Sequence, residues 1–262
     1  MDKIKTIILK EWAEVFKNRF VLFTVAFLPL ILTALPLGIL IATKSAGMGN
    51  VAADMPPQFA EICPKDLSAG ECFQVYMVTQ FLILFMMMPL AIPVTIAAYS
   101  IVGEKTTRSL EPLLATPITT AELLAGKSLA AAIPAILVTW AGYLIFAIGT
   151  MIIVSNPRTY AAILDPMWLI AILLVGPLMA IMAVNVSIMV SSRVQDPRVA
   201  EQLSMIVIVP VLALFFGQIS GLFLLNQNII LLMAVILILL DIALIYLAVR
   251  IFQREAILTR WK

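Results

Sequence analysis

The sequence predicts an all-α integral membrane protein: six transmembrane helices, an amphipathic helix in the membrane interface at the N-terminus, and a short helix projecting into the cytoplasm. Three observations carry this. Hydrophobic residues make up 63% of the 262 positions and charged residues only 12%, about half the usual globular share. The charge-free stretches are each long enough to cross a bilayer core of about 30 Å, which takes about 20 residues. Lys and Arg fall almost wholly on one side of the resulting spans. This composition excludes an ordinary cytosolic enzyme, a disordered chain and a collagen-like fibre. Long unbroken apolar runs exclude a membrane β-barrel.

The first element, over residues 3–19, is amphipathic. Ile4, Ile7, Ile8, Trp12, Val15 and Phe16 share one helical face; Lys3, Lys5, Lys10, Glu14 and Lys17 take the other. This pattern suits a helix lying in the cytoplasmic interface. The spans follow at about 20–43, 75–103, 124–154, 167–191, 203–225 and 229–249, in a single transmembrane domain covering 1–262. The last charge-free run is too long for one helix, and Asn226-Gln227-Asn228 divides it. The first apolar run is too long for a secretory signal and lacks a small-residue cleavage site.

With a cytoplasmic N-terminus, 14 of the 17 Lys and Arg lie inside, and only Lys44, Lys65 and Arg158 lie outside. Both termini are then cytoplasmic. Helix-end signals agree. Asp165-Pro166 and Asp196-Pro197 each pair a capping carboxylate with a proline in the first turn. Thr119 and Glu122 have capping-box spacing before the third span. Asn156-Pro157 starts a short outer helix through Leu164. Pro29 and Pro36 predict kinks in the first span, and Pro89 predicts a tilt or break in the long second one.

The outer loop holds both cysteines, Cys63 and Cys72. On the oxidising side they form either a disulfide closing a ten-residue loop or two free thiols. The inner loop, 104–122, is too patterned for a linker. Leu110, Leu113 and Leu114 make an apolar face beside Glu104, Lys105, Arg108 and Glu111. Such a stripe either docks on a partner or folds back onto the membrane surface. Gly126-Lys127-Ser128 looks like the end of a phosphate-binding loop. That motif needs a glycine at position 121, where this chain has Ala121, so ATP binding is not expected here.

Asp241 is the one acid well inside a span. A central Asp costs about 2.5–3.5 kcal/mol on the insertion scale, against about 0.3–0.6 returned by each Leu, Ile or Val. Fifteen such residues keep the sixth span favourable. Asp241 is either a coupling-ion, proton or cationic-cargo site, or an acid hydrogen-bonded to a polar partner in another helix. Candidate partners are Asn185, Ser187, Thr95, Tyr99 and Gln218. With no His and only two Cys, the chain has no imidazole chemistry and no thiolate metal site. No enzyme constellation converges anywhere. A net charge of +2 says little about partners, and no nucleic acid is expected.

The inner loop also carries a resemblance. Gly103-Glu104-Lys105, Ser109-Leu110-Glu111-Pro112-Leu113-Leu114-Ala115-Thr116-Pro117-Ile118 and Glu122-Leu123-Leu124-Ala125-Gly126-Lys127 resemble the signature of ABC-type export permeases, the six-helix type V membrane subunits. Ser109 replaces the usual Thr, and Arg108 stands where Gly is common. Lys10-Glu11-Trp12 and the tail Arg254-Glu255-Ala256-Ile257-Leu258-Thr259-Arg260-Trp261 also look familial. The resemblance implies that the loop forms a coupling helix docking on a separate ATPase subunit, with roles for Glu104, Arg108, Leu110, Glu111, Leu113, Leu114 and Pro117. It implies ATP and Mg²⁺ on that partner and none in this chain. It implies a second permease subunit, as a homodimer or a related chain, in the lipid bilayer of the cell membrane. The function expected is the permease half of an ATP-driven exporter. The alternative is an ion-coupled secondary carrier using Asp241.

Overall fold

The computed structural model describes residues 2–45, 63, 67–106 and 118–251. Among these the chain consists of helices and short connections, with no strand. The amphipathic α1 (Asp2–Val15) leads into α2 (Arg19–Ser45). The second span is built from α3 (Ala69–Phe85) and α4 (Met88–Thr106), and the third from α5 (Thr120–Ile153). A short α6 (Pro157–Ile163) precedes α7 (Pro166–Ile170), a π-helical turn (Ala171–Val175) and α8 (Gly176–Arg193). The fifth span joins α9 (Pro197–Ser204), a 3₁₀ turn (Met205–Ile208) and α10 (Val209–Ile219); the sixth is α11 (Gln227–Ile251).

Six stretches are long and apolar enough to cross a membrane: Val21–Lys44, Ala69–Thr106, Ala121–Ile153, Pro157–Arg193, Pro197–Ile219 and Gln227–Arg250. The chain is a multi-pass membrane protein. The second span is its axis, because it is almost wholly buried while the fifth and sixth are mostly exposed. α4 packs along α8, and α5 and α11 close on α8 from other sides. Large apolar side chains such as Leu232, Leu239 and Ile242 therefore face outward. In water that surface would be an aggregation patch; in lipid it is the normal solvent face.

Local chemistry sets the element ends. Pro89 has no N–H to return to the helix, and the chain breaks at Met86–Met87 just before it, as the sequence predicts. Pro177 has the same defect. There the helix widens into the π turn, and the Gly176 N–H reaches Ala171 O. The Trp140 indole donates to Ile172 O across 3.1 Å, giving that turn a partner from α5.

The predicted caps form. The Thr119 hydroxyl accepts from the Glu122 N–H, and the Glu122 carboxylate accepts from the Thr119 N–H. Asp165 and Asp196 each accept from the N–H two residues on. Four span ends differ from expectation by six residues or more; the fourth apolar stretch begins at Pro157, not 167, and the fifth at Pro197, not 203. The second span begins at Ala69, not 75, because Ser68 and Glu71 make a capping box there. The fifth ends at Ile219, not 225. Gly221 takes a φ of 69°, Leu222 N–H reaches back to Gly217 O, and Gly221 N–H reaches Gln218 O. This is a Schellman ending, which stops a helix in favour of a glycine in the left-handed region.

Candidate functional site

The ends of the helices that flank the 104–122 loop meet α1 on one face of the molecule. α1 lays Ile7, Glu11 and Val15 against the bundle. Gly126 on α5 makes this possible: a Cβ there would lie 2.8 Å from Ile7 Cγ2 and 2.9 Å from its Cβ. The Trp12 indole donates to Ala130 O at 2.9 Å, fixing the rotation of α1 on α5. Gly126 and Lys127, which mimic a phosphate loop in the sequence, serve this helix contact.

A buried charge cluster sits at the junction. Lys127 Nζ lies 2.7 Å from Glu11 Oε1 and 2.8 Å from Glu104 Oε2. It also donates to Ser100 Oγ at 2.9 Å, and Ser100 Oγ donates to Glu11 Oε2 at 2.5 Å. Lys10 Nζ reaches Glu104 Oε1 at 2.5 Å. The side chains of Glu11 and Glu104 are each 3% exposed and that of Lys127 is 5%, whereas Lys10 is 38% exposed. Two buried carboxylates thus face one buried ammonium, Lys127, and the partly exposed ammonium of Lys10 completes the balance of charge. Partial burial works against the Lys10 ammonium, but the Glu104 hydrogen bond and the surrounding carboxylates outweigh it and raise its pKa above the ordinary 10.5.

The geometry ties three elements together. Glu104 stands two residues before the C-terminus of α4, Lys127 in the second turn of α5, and Glu11 and Lys10 on α1. Lys105 extends the tie to a fourth, donating to Ser192 O and Val194 O at the end of α8. A displacement of Glu104 or Lys127 must therefore carry α1 with it or break buried ion pairs.

The expected docking residues fare differently. Glu104 does not stand on a surface; its carboxylate is turned inward because Lys127 and Lys10 neutralise it there. Arg108, Leu110, Glu111, Leu113, Leu114 and Pro117 lie outside the described residues, as does the 254–261 tail. Glu11 and Lys127, which the loop motif does not single out for docking, are the residues the structure adds to the site. Their signals were present: Glu11 is an acid spaced four residues from both Ile7 and Val15 on an apolar face, and Lys127 is a base one turn inside a span.

Asp241 is 5% exposed on the seam of α11 formed by Ile230, Ala234, Leu237 and Ala248. Neither of its carboxylate oxygens has a hydrogen-bond partner among the described residues. Three of the five expected partners make other hydrogen bonds: the Asn185 amide donates to Ile181 O, the Ser187 hydroxyl to Val94 O and the Thr95 hydroxyl to Glu201. On the opposite face, Cys63 and Cys72 are joined as a disulfide with their Cα atoms 6.1 Å apart.

A family model described as the ABC-2 family transporter protein matches residues 5–239. No curated protein matches the chain. The matched region includes most of α1, both flanks of the loop and the charge cluster, and stops two residues short of Asp241.

Proposed function

The chain belongs to the ABC-2 transporter family, and we propose that it is the membrane half of an ATP-driven exporter, moved through its 104–122 loop by a separate ATPase subunit. Membership makes it a transporter membrane subunit and not a catalytic enzyme. The observation that carries the rest is the buried Glu11–Lys127–Glu104–Lys10 cluster at the base of the loop. An apolar loop helix bearing Leu110, Leu113 and Leu114 docks on the partner, and the cluster makes its base rigid enough to pass force into the spans. ATP and Mg²⁺ belong to the ATPase. Two permease chains pair in the membrane, with termini and loop on the cytoplasmic side, where Lys and Arg concentrate. ATP-driven closure of the ATPases pushes both loops, and the spans alternate between inward and outward openings.

Co-purification with a candidate ABC ATPase, expressed together with this chain, tests this. The wild-type chain should retain the ATPase through size exclusion, and a Leu113→Asp, Leu114→Asp double variant should release it while remaining folded. Export by wild-type membranes with no ATPase bound would reject the reading.

One observation supports a second reading. Asp241 is buried with no hydrogen-bond partner among the described residues, as a carrier's coupling acid would be. Asp241→Asn separates the two: a secondary carrier loses gradient-driven transport, whereas an ABC permease keeps ATP-coupled transport.

A further inference from the structure

We propose that the corner between α1 and α2 binds an anionic phospholipid, with its phosphate on Lys17 and Arg19 and an acyl chain along Phe23, Phe27 and Leu30. Binding there is independent of the exporter reading, because every residue involved belongs to this chain. The lipid sits at the joint between α2 and the helix that carries Lys10 and Glu11.

Charge selects the headgroup. The acids on α1 and at the loop-side ends of α4 and α5 are spent on other lysines. Lys127 pairs with Glu11 at 2.7 Å and with Glu104 at 2.8 Å. Lys10 pairs with Glu104 at 2.5 Å and with Glu14 at 3.7 Å, and Lys3 reaches Glu122 at 3.8 Å. Lys5, Lys17 and Arg19 are exposed and form no salt bridge among the described residues. Lys17 and Arg19 flank Asn18 in a tight turn, where the Lys17 and Asn18 N–H groups reach back to Glu14 O and Val15 O. Two uncompensated cations therefore share one corner. Arginine offers a planar fork to a phosphate, and lysine adds a point charge. A zwitterionic lipid brings its own ammonium, which these cations repel.

Helical register supplies the tail site. Positions 19, 23, 27 and 30 are spaced to share one face of α2. Phe23 is 59% exposed, Phe27 47% and Leu30 65%, whereas Val21, Val25 and Leu32 on the opposite face are buried against the bundle. The Phe23 and Phe27 rings stack with centroids 4.8 Å apart, giving an acyl chain a continuous apolar surface. The apolar stretch begins at Val21, so Arg19 stands at its edge, the height of a headgroup phosphate. A head at Lys17 and Arg19 with a tail past Phe23 matches both halves of one lipid.

The test uses the full chain in nanodiscs of equal phosphatidylglycerol and phosphatidylcholine with identical acyl chains. A photoreactive benzoylphenylalanine takes the place of Phe23, and intact-mass spectrometry after illumination counts the two lipid adducts. Each cation beside an anionic headgroup is worth about fivefold, so phosphatidylglycerol adducts should exceed phosphatidylcholine adducts by about twentyfold. Lys17→Gln and Arg19→Gln should each cut the excess about fivefold. Lys5→Gln, about 15 Å from the end of α1 and beyond the screening length, should leave it unchanged. Arg19→Lys keeps the charge and should keep most of the excess. The same photoreactive residue in place of Leu232, which is 60% exposed on α11, should label the two lipids equally. The three substituted cations are exposed, so the variants should fold, and melting curves check this. An adduct ratio near one at position 23 overturns the proposal. So does an equal excess at position 232, an equal loss with Lys5→Gln, or cross-linking of position 23 to a second copy in place of lipid. Because no ATPase is present, failure here leaves the exporter reading untouched.

Discussion

Lys127 is the residue on which the charge cluster depends, since it pairs with both buried carboxylates. Replacing it with Met leaves Glu11 and Glu104 facing each other with only Lys10 between them and solvent. Breaking one side of a buried pair costs about 3–5 kcal/mol. Lys127→Met should therefore lower the unfolding midpoint in detergent sharply, measured by thermal melting. Glu11→Gln should cost much less, because the amide oxygen still accepts from Lys127 and the amide NH2 can donate to Ser100 Oγ once that hydroxyl rotates. Lys10 behaves differently again. Its pKa is raised, so its contribution is fully present below pH 10.5 and fades only as the pH climbs through the higher folded value. A melting series between pH 6 and 9 should show no loss attributable to Lys10.

At the scale of elements, α1 is held by shape as well as charge. Gly126→Val places methyl groups where Ile7 already stands, and the contact includes Ile7 Cβ, which cannot swing aside. Overpacking of this kind costs about 1–3 kcal/mol. The expected outcome is a displaced α1, read as a red shift of Trp12 emission in a variant whose other tryptophans are replaced by Phe. Adding Ile7→Ala should restore part of the blue-shifted signal, since the two residues meet directly. This contact explains what could and could not be foreseen. Spans and caps were legible because their causes are local: a charge-free run, a proline, or a Thr119–Glu122 pair three residues apart. The cluster was not, because Lys10 and Glu104 are 94 residues apart and Lys127 and Glu11 are 116 apart. Amphipathic patterning placed α1 in the lipid interface. It could not show that the face bearing Ile7 and Glu11 would find a glycine and a lysine on α5. The same limit applied to Glu104, whose motif suggests docking but whose side chain faces inward.

At the scale of the whole molecule, the two most unusual charges lie in different mechanical positions. The cluster joins α1, α4 and α5 at the base of the loop, whereas Asp241 sits on α11, which packs against α8. If force enters through the loop, the cluster lies on its route and Asp241 does not need to titrate. The two sites should then separate experimentally. In proteoliposomes containing the permease and its ATPase, Glu11→Gln and Glu104→Gln should lower the transport gained per ATP hydrolysed, leaving hydrolysis by the ATPase largely intact. Asp241→Asn should keep that ratio near wild type, and should insert more readily because a costly central acid is gone. A ratio unchanged by the cluster variants but abolished by Asp241→Asn would reverse the assignment. It would put the working charge on α11, where a carrier needs it, and reduce the cluster to a structural clasp.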